Sequence, residues 1–392
     1  MKRLEIFLAS FCLTALMLFT PSLIHAAEQA ELMDSVEIGL ITCSPHEEVY
    51  SLYGHSAIRY RELNTGRDFT FNYGVFDFKA PHFISRFVFG KTDYELGVIP
   101  TDLFCKYYKS WGSQVTEQVL NLTNEEKAQI KLALSINLQP ENRIYRYNFF
   151  YDNCSTRPRD IIANNLNGEI IYEQRTDFTP SFREMIHQLT ARHPWAAMGN
   201  DLLLGVKADL KTSRSEQEFL PMNLLYDFDH AQIYSHDGNY KPLVKERRTL
   251  VPAGVQMVKK EFPLSPTEVA ILLLLFFICI FLLEWKRKSC IIWIDLPVML
   301  IYGLAGCIIL LMFFSEHPTT STNLQVLLFN PLPLFFIPSV LRKKPATRYW
   351  QATIVLIAMF FVGGIWQDYA EGTEILALCL LSRCMSHIRN DK

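Results

Sequence analysis

Charge is scarce in this chain. Of its 392 residues only 20 % are charged, against roughly a quarter in an ordinary soluble domain, so part of the chain belongs in lipid. Neither sign dominates: 38 basic and 40 acidic residues leave a net charge of −2. This excludes the basic surplus that a nucleic-acid binder carries. An aromatic content of 13 % excludes disorder over most of the length. Internal repeats and low-complexity tracts are missing. No CxxC pair or His-rich spacing points to a metal, and no cofactor is expected. Between residues 28 and 263 there is no apolar run long enough to cross a bilayer.

What the middle lacks, the two ends supply. Residues 1–26 read as a signal peptide: Lys2 and Arg3, then an apolar run, then a short polar tail before Ala26 and Ala27. The small residue expected two places before the cut is missing, so an uncleaved anchor is the alternative. Residues 27–265 then form one exported domain, and residues 266–392 a membrane domain. Apolar runs at 269–285, 290–314, 324–341 and 349–366 approach or exceed the roughly 20 residues a span needs. A fifth, at 375–385, reaches that length only by extension to 373–388. Basic clusters at Lys286–Lys288, Arg342–Lys344 with Arg348, and Arg383 with Arg389 alternate with the loops SEHPTTSTN and QDYAEGTE, which hold no Lys or Arg. That alternation predicts five helices with the exported domain outside and the C-terminus inside.

Three cysteines remain in the exported stretch, Cys43, Cys105 and Cys154, so at least one is unpaired. Cys154 lies in RYNFFYDNCSTRPRDIIANNL, an aromatic run that turns into a helix. Asp152, Asn153, Ser155 and Thr156 are N-cap residues, Pro158 suits only a first turn, and Ile161, Ile162 and Leu166 form an apolar face. A thiol at a helix start, with Arg157 and Arg159 nearby, is expected to have a lowered pKa and to act as a nucleophile. The bland alternative is a buried, inert thiol.

A cysteine nucleophile needs a base, and the exported stretch offers His46, His55, His82, His187, His193, His230 and His236. His55 stands in VYSLYGHSAIRYREL, whose alternation is that of a strand. Tyr53 and Gly54 precede it, the glycine allowing another backbone or a substrate to come close. The next strand-like segment, DFTFNYGVFDF, offers Asn72 or Asp77 to orient the imidazole, and Asn72 is preferred because Asp77 sits nearer a turn.

YGHSAIRY, FNYGVFDF and YDNCSTRPRD together resemble the motifs of the Lnb N-terminal periplasmic domain family. The order His before Cys is also similar to the permuted papain-like proteins of the NlpC/P60 and lecithin:retinol acyltransferase clan. The resemblance implies an α+β, permuted papain-like exported domain followed by an all-α, five-helix membrane domain. It implies His55 as base, Asn72 as orienting group and Cys154 as nucleophile; from their places in the motifs Tyr53, Gly54, Asn153 and Arg157 are expected to bind substrate or support the site. It implies an acyltransferase of the bacterial inner membrane that moves an acyl chain from a phospholipid, through a Cys thioester, to the amine of a diacylglyceryl lipoprotein. Backbone N–H groups at the helix start are expected to hold the oxyanion.

In the membrane part, His317 and Asn323 of the outer loop are expected to touch a lipid headgroup or the acceptor amine. Pro331, Pro333 and Pro338 predict a broken helix. Asp295 reads as an interfacial charge and Arg383 as a side chain snorkelling inward. Two rivals share these features: a cell-wall peptidase or amidase using the same Cys and His, and a non-catalytic membrane sensor or scaffold.

Overall fold

The computed structural model describes residues 33–47, 51–76, 79, 81–174, 179–256, 262–344 and 346–390. The expected signal peptide lies outside the described residues. The strands are β1 (Val36–Cys43), β2 (His55–Glu62), β3 (Asp68–Val75), β4 (Asp93–Pro100), β5 (Val115–Leu120), β6 (Ile144–Arg146), β7 (Gly168–Ile171), β8 (Gln232–Ser235), β9 (Tyr240–Pro242) and β10 (Val244–Val251). Seven of them form one antiparallel sheet in the order β10-β5-β1-β2-β3-β4-β6, while β7, β8 and β9 make a small second sheet.

Both faces of the large sheet are covered, which is why β1 is apolar on both sides. Ile38 and Leu40 enter a core with Ile58, Ile130, Leu134, Ile162 and Leu224, while Ile41 and Cys43 point the other way, against Ala57, Phe104, Val115 and Val251. The helices of the domain are α1 (Phe83–Val88), α2 (Thr101–Ser110), α3 (Asn124–Asn137), α4 (Thr156–Ala163), α5 (Phe182–Thr190), α6 (Pro194–Leu203) and α7 (Pro221–Asp229), with shorter turns between. Helix α3 starts at a capping box: the Glu126 N–H donates to Thr123 Oγ1 (3.2 Å) and the Thr123 N–H to Glu126 Oε2 (2.7 Å). The expected combination of a mixed sheet-and-helix domain with a helical C-terminal region is therefore observed.

The C-terminal region comprises α8 (Pro266–Arg287), α9 (Ile292–Met312), α10 (Leu332–Leu341), α11 (Thr347–Gly363) and α12 (Thr373–Asn390). Among the described residues three segments are long and apolar enough to cross a membrane: Pro266–Arg287, Ile292–Met312 and Leu324–Leu341. The third is interrupted, as its prolines predict. A 3-10 turn over Leu324–Leu327 gives way to α10, which Pro331 precedes and Pro338 interrupts. Helix α12 packs against both α8 and α11.

Two sequence-based expectations fail here. Arg383 does not snorkel and Asp295 is not interfacial. Arg383 is 1 % exposed, with Nε on Asp295 Oδ1 (2.8 Å) and Nη1 on Glu284 Oε2 (2.8 Å). His387 Nε2 meets Asp295 Oδ2 at 2.9 Å, and the Ile291 N–H donates to Glu284 Oε1 at 2.6 Å. Both carboxylates are fully buried. Charges in an apolar bundle persist only when paired, and here α8 and α9 each contribute a carboxylate and α12 contributes both basic partners. Replacing Arg383 by Met leaves the buried Glu284 without its cation and Asp295 with His387 alone. We expect a loss of about 3–5 kcal/mol, read as a lowered unfolding temperature of the purified full chain in detergent. An unchanged unfolding temperature would contradict this role.

Candidate active site

The turn that carries Cys154 is built by its neighbour. The Asn153 Oδ1 accepts from the N–H groups of Ser155 (2.7 Å) and Thr156 (3.0 Å). Its Nδ2 donates to Phe149 O (2.8 Å) and Phe219 O (2.9 Å). One buried amide thus caps α4 and ties the turn to two other segments. Pro158 falls in the first turn, where no N–H is required. Cys154 sits two residues ahead of α4, half-buried, as the sequence predicts.

Strand β2 brings His55 to this turn, and β3 brings Asn72. His55 Nε2 meets Asn72 Oδ1 at 2.6 Å, which leaves Nδ1 for the thiol. His55 and Cys154 lie close enough for each to shift the other's titration. Burial by itself would raise the thiol pKa, but the His55 charge and hydrogen bond, with the N–H groups of Ser56 and Cys154, outweigh it and the net shift is downward. Burial likewise pulls His55 down, yet Cys154 and Asn72 carry its pKa above the ordinary value. The two shifts together favour a thiolate–imidazolium pair. Cys43, Cys105 and Cys154 are all free thiols; Cys43 and Cys105 have raised pKa values, chiefly through burial.

Other expected contributors have different duties. Arg157 was expected to stabilise the thiolate, but Asp152 holds its guanidinium (2.6 and 2.8 Å) over the Tyr145 ring. Arg159 is bound by Asp160 (2.7 Å) and Ser215 O (2.7 Å). The helix-start N–H groups of Ser155 and Thr156, expected to hold an oxyanion, are already taken by Asn153. Gly54 does allow a close approach, to the backbone: at φ +77, a Cβ there would lie 2.8 Å from Cys43 O. Tyr53 packs on Phe149, its hydroxyl accepts from Asn200 Nδ2 (2.7 Å), and burial lifts its pKa to about 12. Asp77 lies outside the described residues. Two other histidines of the domain are engaged elsewhere, His46 stacked on Trp111 and His187 paired with Asp201.

Sequence reasoning missed Gly74, Tyr94 and Tyr147. Gly74, at φ +103 beside a register shift in β3, holds a backbone conformation that favours glycine and passes close to the pair: a Cβ there would stand in ordinary contact, 3.5 Å from Cys154 Cβ and 3.7 Å from His55 Cε1. A lone glycine inside a strand pattern is the signal that marks such a position. Tyr147 lies near enough to be affected by a Cys154 charge, and burial keeps its phenol protonated.

From Tyr147 a row of rings leads away from the thiol. Tyr147 stacks on Tyr94 (4.0 Å), Tyr94 on Phe76 (4.7 Å), Phe76 on Phe83 (6.1 Å), Phe83 on Phe87 (6.5 Å), and Phe87 faces His317 (6.0 Å). A cavity of about 380 Å³ opens along it, walled by Val75, Phe76, Phe83, Tyr94 and Ile144. His317, expected at a lipid headgroup, has its Nε2 on Phe87 O (3.2 Å), at the far end of this row. Its neighbour Glu316 pairs with Arg146 (2.6 Å), which with Arg86 also holds Asp93 beside the cavity.

Asn323 is a correction. It is fully buried and fastens the two domains together: its Nδ2 donates to Leu202 O (2.9 Å), and its Oδ1 accepts from Gln367 Nε2 (3.0 Å). Gln325 donates to Asp201 O (2.7 Å), and the Gly205 N–H to Thr319 O (2.8 Å). The outer loop is a docking surface for α6 and the segment after it.

A sheet domain with a paired cysteine and histidine, docked through a polar seam onto helices of membrane length, defines a membrane protein with an extramembrane domain. Two family models match it: the Lnb N-terminal periplasmic domain over residues 26–192 and the Lnb transmembrane domain over residues 258–392. The chain belongs to the Lnb-type family, with its N-terminal domain in the periplasm. No curated protein and no solved structure matches it.

The electrostatics predict a reactive thiol. Cys154 in the native protein should alkylate with iodoacetamide along a pH profile whose midpoint lies below the 9.0 of an ordinary thiol. His55→Gln removes the cation and should move that midpoint upward. Identical profiles for the two proteins would refute the pairing.

Proposed function

We propose that this protein is a thiol-dependent lipoprotein N-acyltransferase, with Cys154 as nucleophile, His55 as base and acid, and Asn72 as the group that orients the imidazole. The observation that carries the reading is the aromatic row. It joins the surroundings of Cys154 to the loop at the outer membrane surface, a route suited to an acyl chain and unneeded for a soluble wall peptide. Family membership supports lipoprotein processing at a membrane. The same reading takes residues 27–265 as a permuted papain-like domain and α8 to α12 with the Leu324–Leu327 turn as five crossings of the inner membrane, residues 1–26 being a signal peptide.

In the first step the Cys154 thiolate attacks the carbonyl carbon of a phospholipid acyl ester. Negative charge moves from sulfur to the carbonyl oxygen, which frees the Cys154 N–H that had stabilised the thiolate. That N–H, with the protonated Tyr147 hydroxyl, is our assignment for the oxyanion donors. The carbon–oxygen bond breaks, the lysophospholipid alkoxide takes the proton from His55, and a thioester remains. In the second step the free amine of a diacylglyceryl lipoprotein attacks the thioester. His55 accepts the amine proton, the thiolate leaves, and the ion pair is restored as the amide forms.

Mass spectrometry of lipoprotein N-termini tests the reading. Cells carrying Cys154→Ala should lack one amide-linked acyl chain, as cells without the protein should. Retained N-acylation would overturn it, and cleavage of muropeptides by the purified protein would favour the peptidase rival.

Two further substitutions separate the parts. Tyr147→Phe should lower kcat about a hundredfold at near-constant KM, the usual cost of an oxyanion donor. Phe83→Asp should instead raise KM for the phospholipid. Activity should follow a bell-shaped pH profile: protonation of the Cys154 thiolate ends it on the acid side and loss of the His55 proton on the alkaline side.

A further inference from the structure

The opposite end of the membrane domain holds a second concave site. A cavity of about 260 Å³ lies where α8, α10, α11 and α12 end or begin. Because the sheet domain is periplasmic and α8 runs away from it across the membrane, this cavity is at the cytoplasmic face. Lys288, Lys343 and Lys344 line it, with Ser289 and Asn390, and no acidic residue among the described ones does. The carboxylates behind the cavity wall are already engaged, Asp295 by Arg383 and His387 and Glu284 by Arg383 and the Ile291 N–H.

Two of the lysines occupy unusual positions. Lys288 and Lys343 stand just past the ends of α8 and α10, in left-handed backbone at φ 53 and 52. Glycine is the usual occupant of such a position, so each helix end here carries an ammonium group instead. The third observation concerns the floor. Trp350 is 1 % exposed, stacks on the His387 ring at 4.2 Å, and has an indole N–H with no hydrogen-bond acceptor among the described residues. A buried donor without a partner, in the wall of a cationic cavity, suits an acceptor oxygen brought by a ligand. The same wall includes Ile292 and Val340, so the site is cationic and polar in one part and apolar in the other.

We propose that this cavity binds the phosphate of an anionic phospholipid from the cytoplasmic leaflet, with the acyl chains lying against the apolar wall. Basic pockets between membrane helices bind such headgroups, each nearby cation adding to the attraction. The site is separate from Cys154 and on the other side of the membrane, so it concerns a resident lipid and not the acyl donor.

The test uses the purified full chain in nanodiscs or detergent, with lipid retention read by native mass spectrometry. Phosphatidylglycerol should be retained and phosphatidylcholine should not. The triple substitution Lys288→Ala, Lys343→Ala and Lys344→Ala should weaken retention about tenfold or more. A control triple, Lys286→Ala, Arg287→Ala and Arg342→Ala, removes equal charge from the same face outside the cavity and should leave retention near wild type. Trp350→Phe keeps a ring against His387, removes the N–H, and should weaken retention severalfold. Equal losses in the two triple variants would mean diffuse surface attraction and overturn the proposal. Equal retention of the two lipids would overturn it as well. Displacement of phosphatidylglycerol by millimolar inorganic phosphate would identify a free-anion site and reject the lipid assignment.

Discussion

Asn153 is a side chain on which much of the site depends. Its amide oxygen closes the turn around Cys154, and its amide nitrogen ties that turn to Phe149 and Phe219. Three of the four bonds are buried and the one to Phe149 O is partly buried, so water is a poor substitute for them. The arrangement also decides where an oxyanion can be held. By occupying the N–H groups of Ser155 and Thr156, Asn153 gives the helix a fixed start and removes those donors from the chemistry. The electrostatic control of the thiol then passes to His55, whose orientation Asn72 fixes from the adjacent strand.

The membrane domain provides support of a different kind. Its outer loop is held to the sheet domain by buried amides and backbone carbonyls, with Asn323, Gln325 and Gln367 forming a polar seam. Arg146 and Glu316 add an exposed ion pair at the rim, worth little in itself but placed at the end of the aromatic row. Deeper in the bundle, Glu284, Asp295, Arg383 and His387 bind three helices to one another. A rigid seat for the sheet domain follows from both sets of contacts. That rigidity fixes where the row of rings meets the membrane surface.

Much of this was legible in the sequence wherever the signal was local. Apolar runs gave the helical region, because length and hydrophobicity alone decide whether a segment can lie in lipid. The cap residues ahead of Pro158 located the start of α4, and alternation in YGHSAIRY located β2, since both patterns arise from backbone geometry within a few residues. His55 and Asn72, singled out from adjacent strand-like segments, are in contact, while Asp77 falls outside the described residues. Charged and amide side chains were another matter. Arg157, Asn323 and Arg383 each reach several ångströms, and nothing near them in sequence says which of several partners they will meet.

The sequence by itself determined a membrane-attached chain with a folded exported part, a helix beginning after Cys154, and a broken segment around Pro331. These follow from periodicity, capping and proline stereochemistry, which act over neighbouring residues. Only the tertiary structure decided that Cys154 meets His55 instead of another histidine, that Gly74 passes close beside them, and that five aromatic rings line up from Tyr147 to Phe87. The reason is physical: those contacts join residues far apart in the chain, and the register of the sheet and the docking of one domain on the other bring them together.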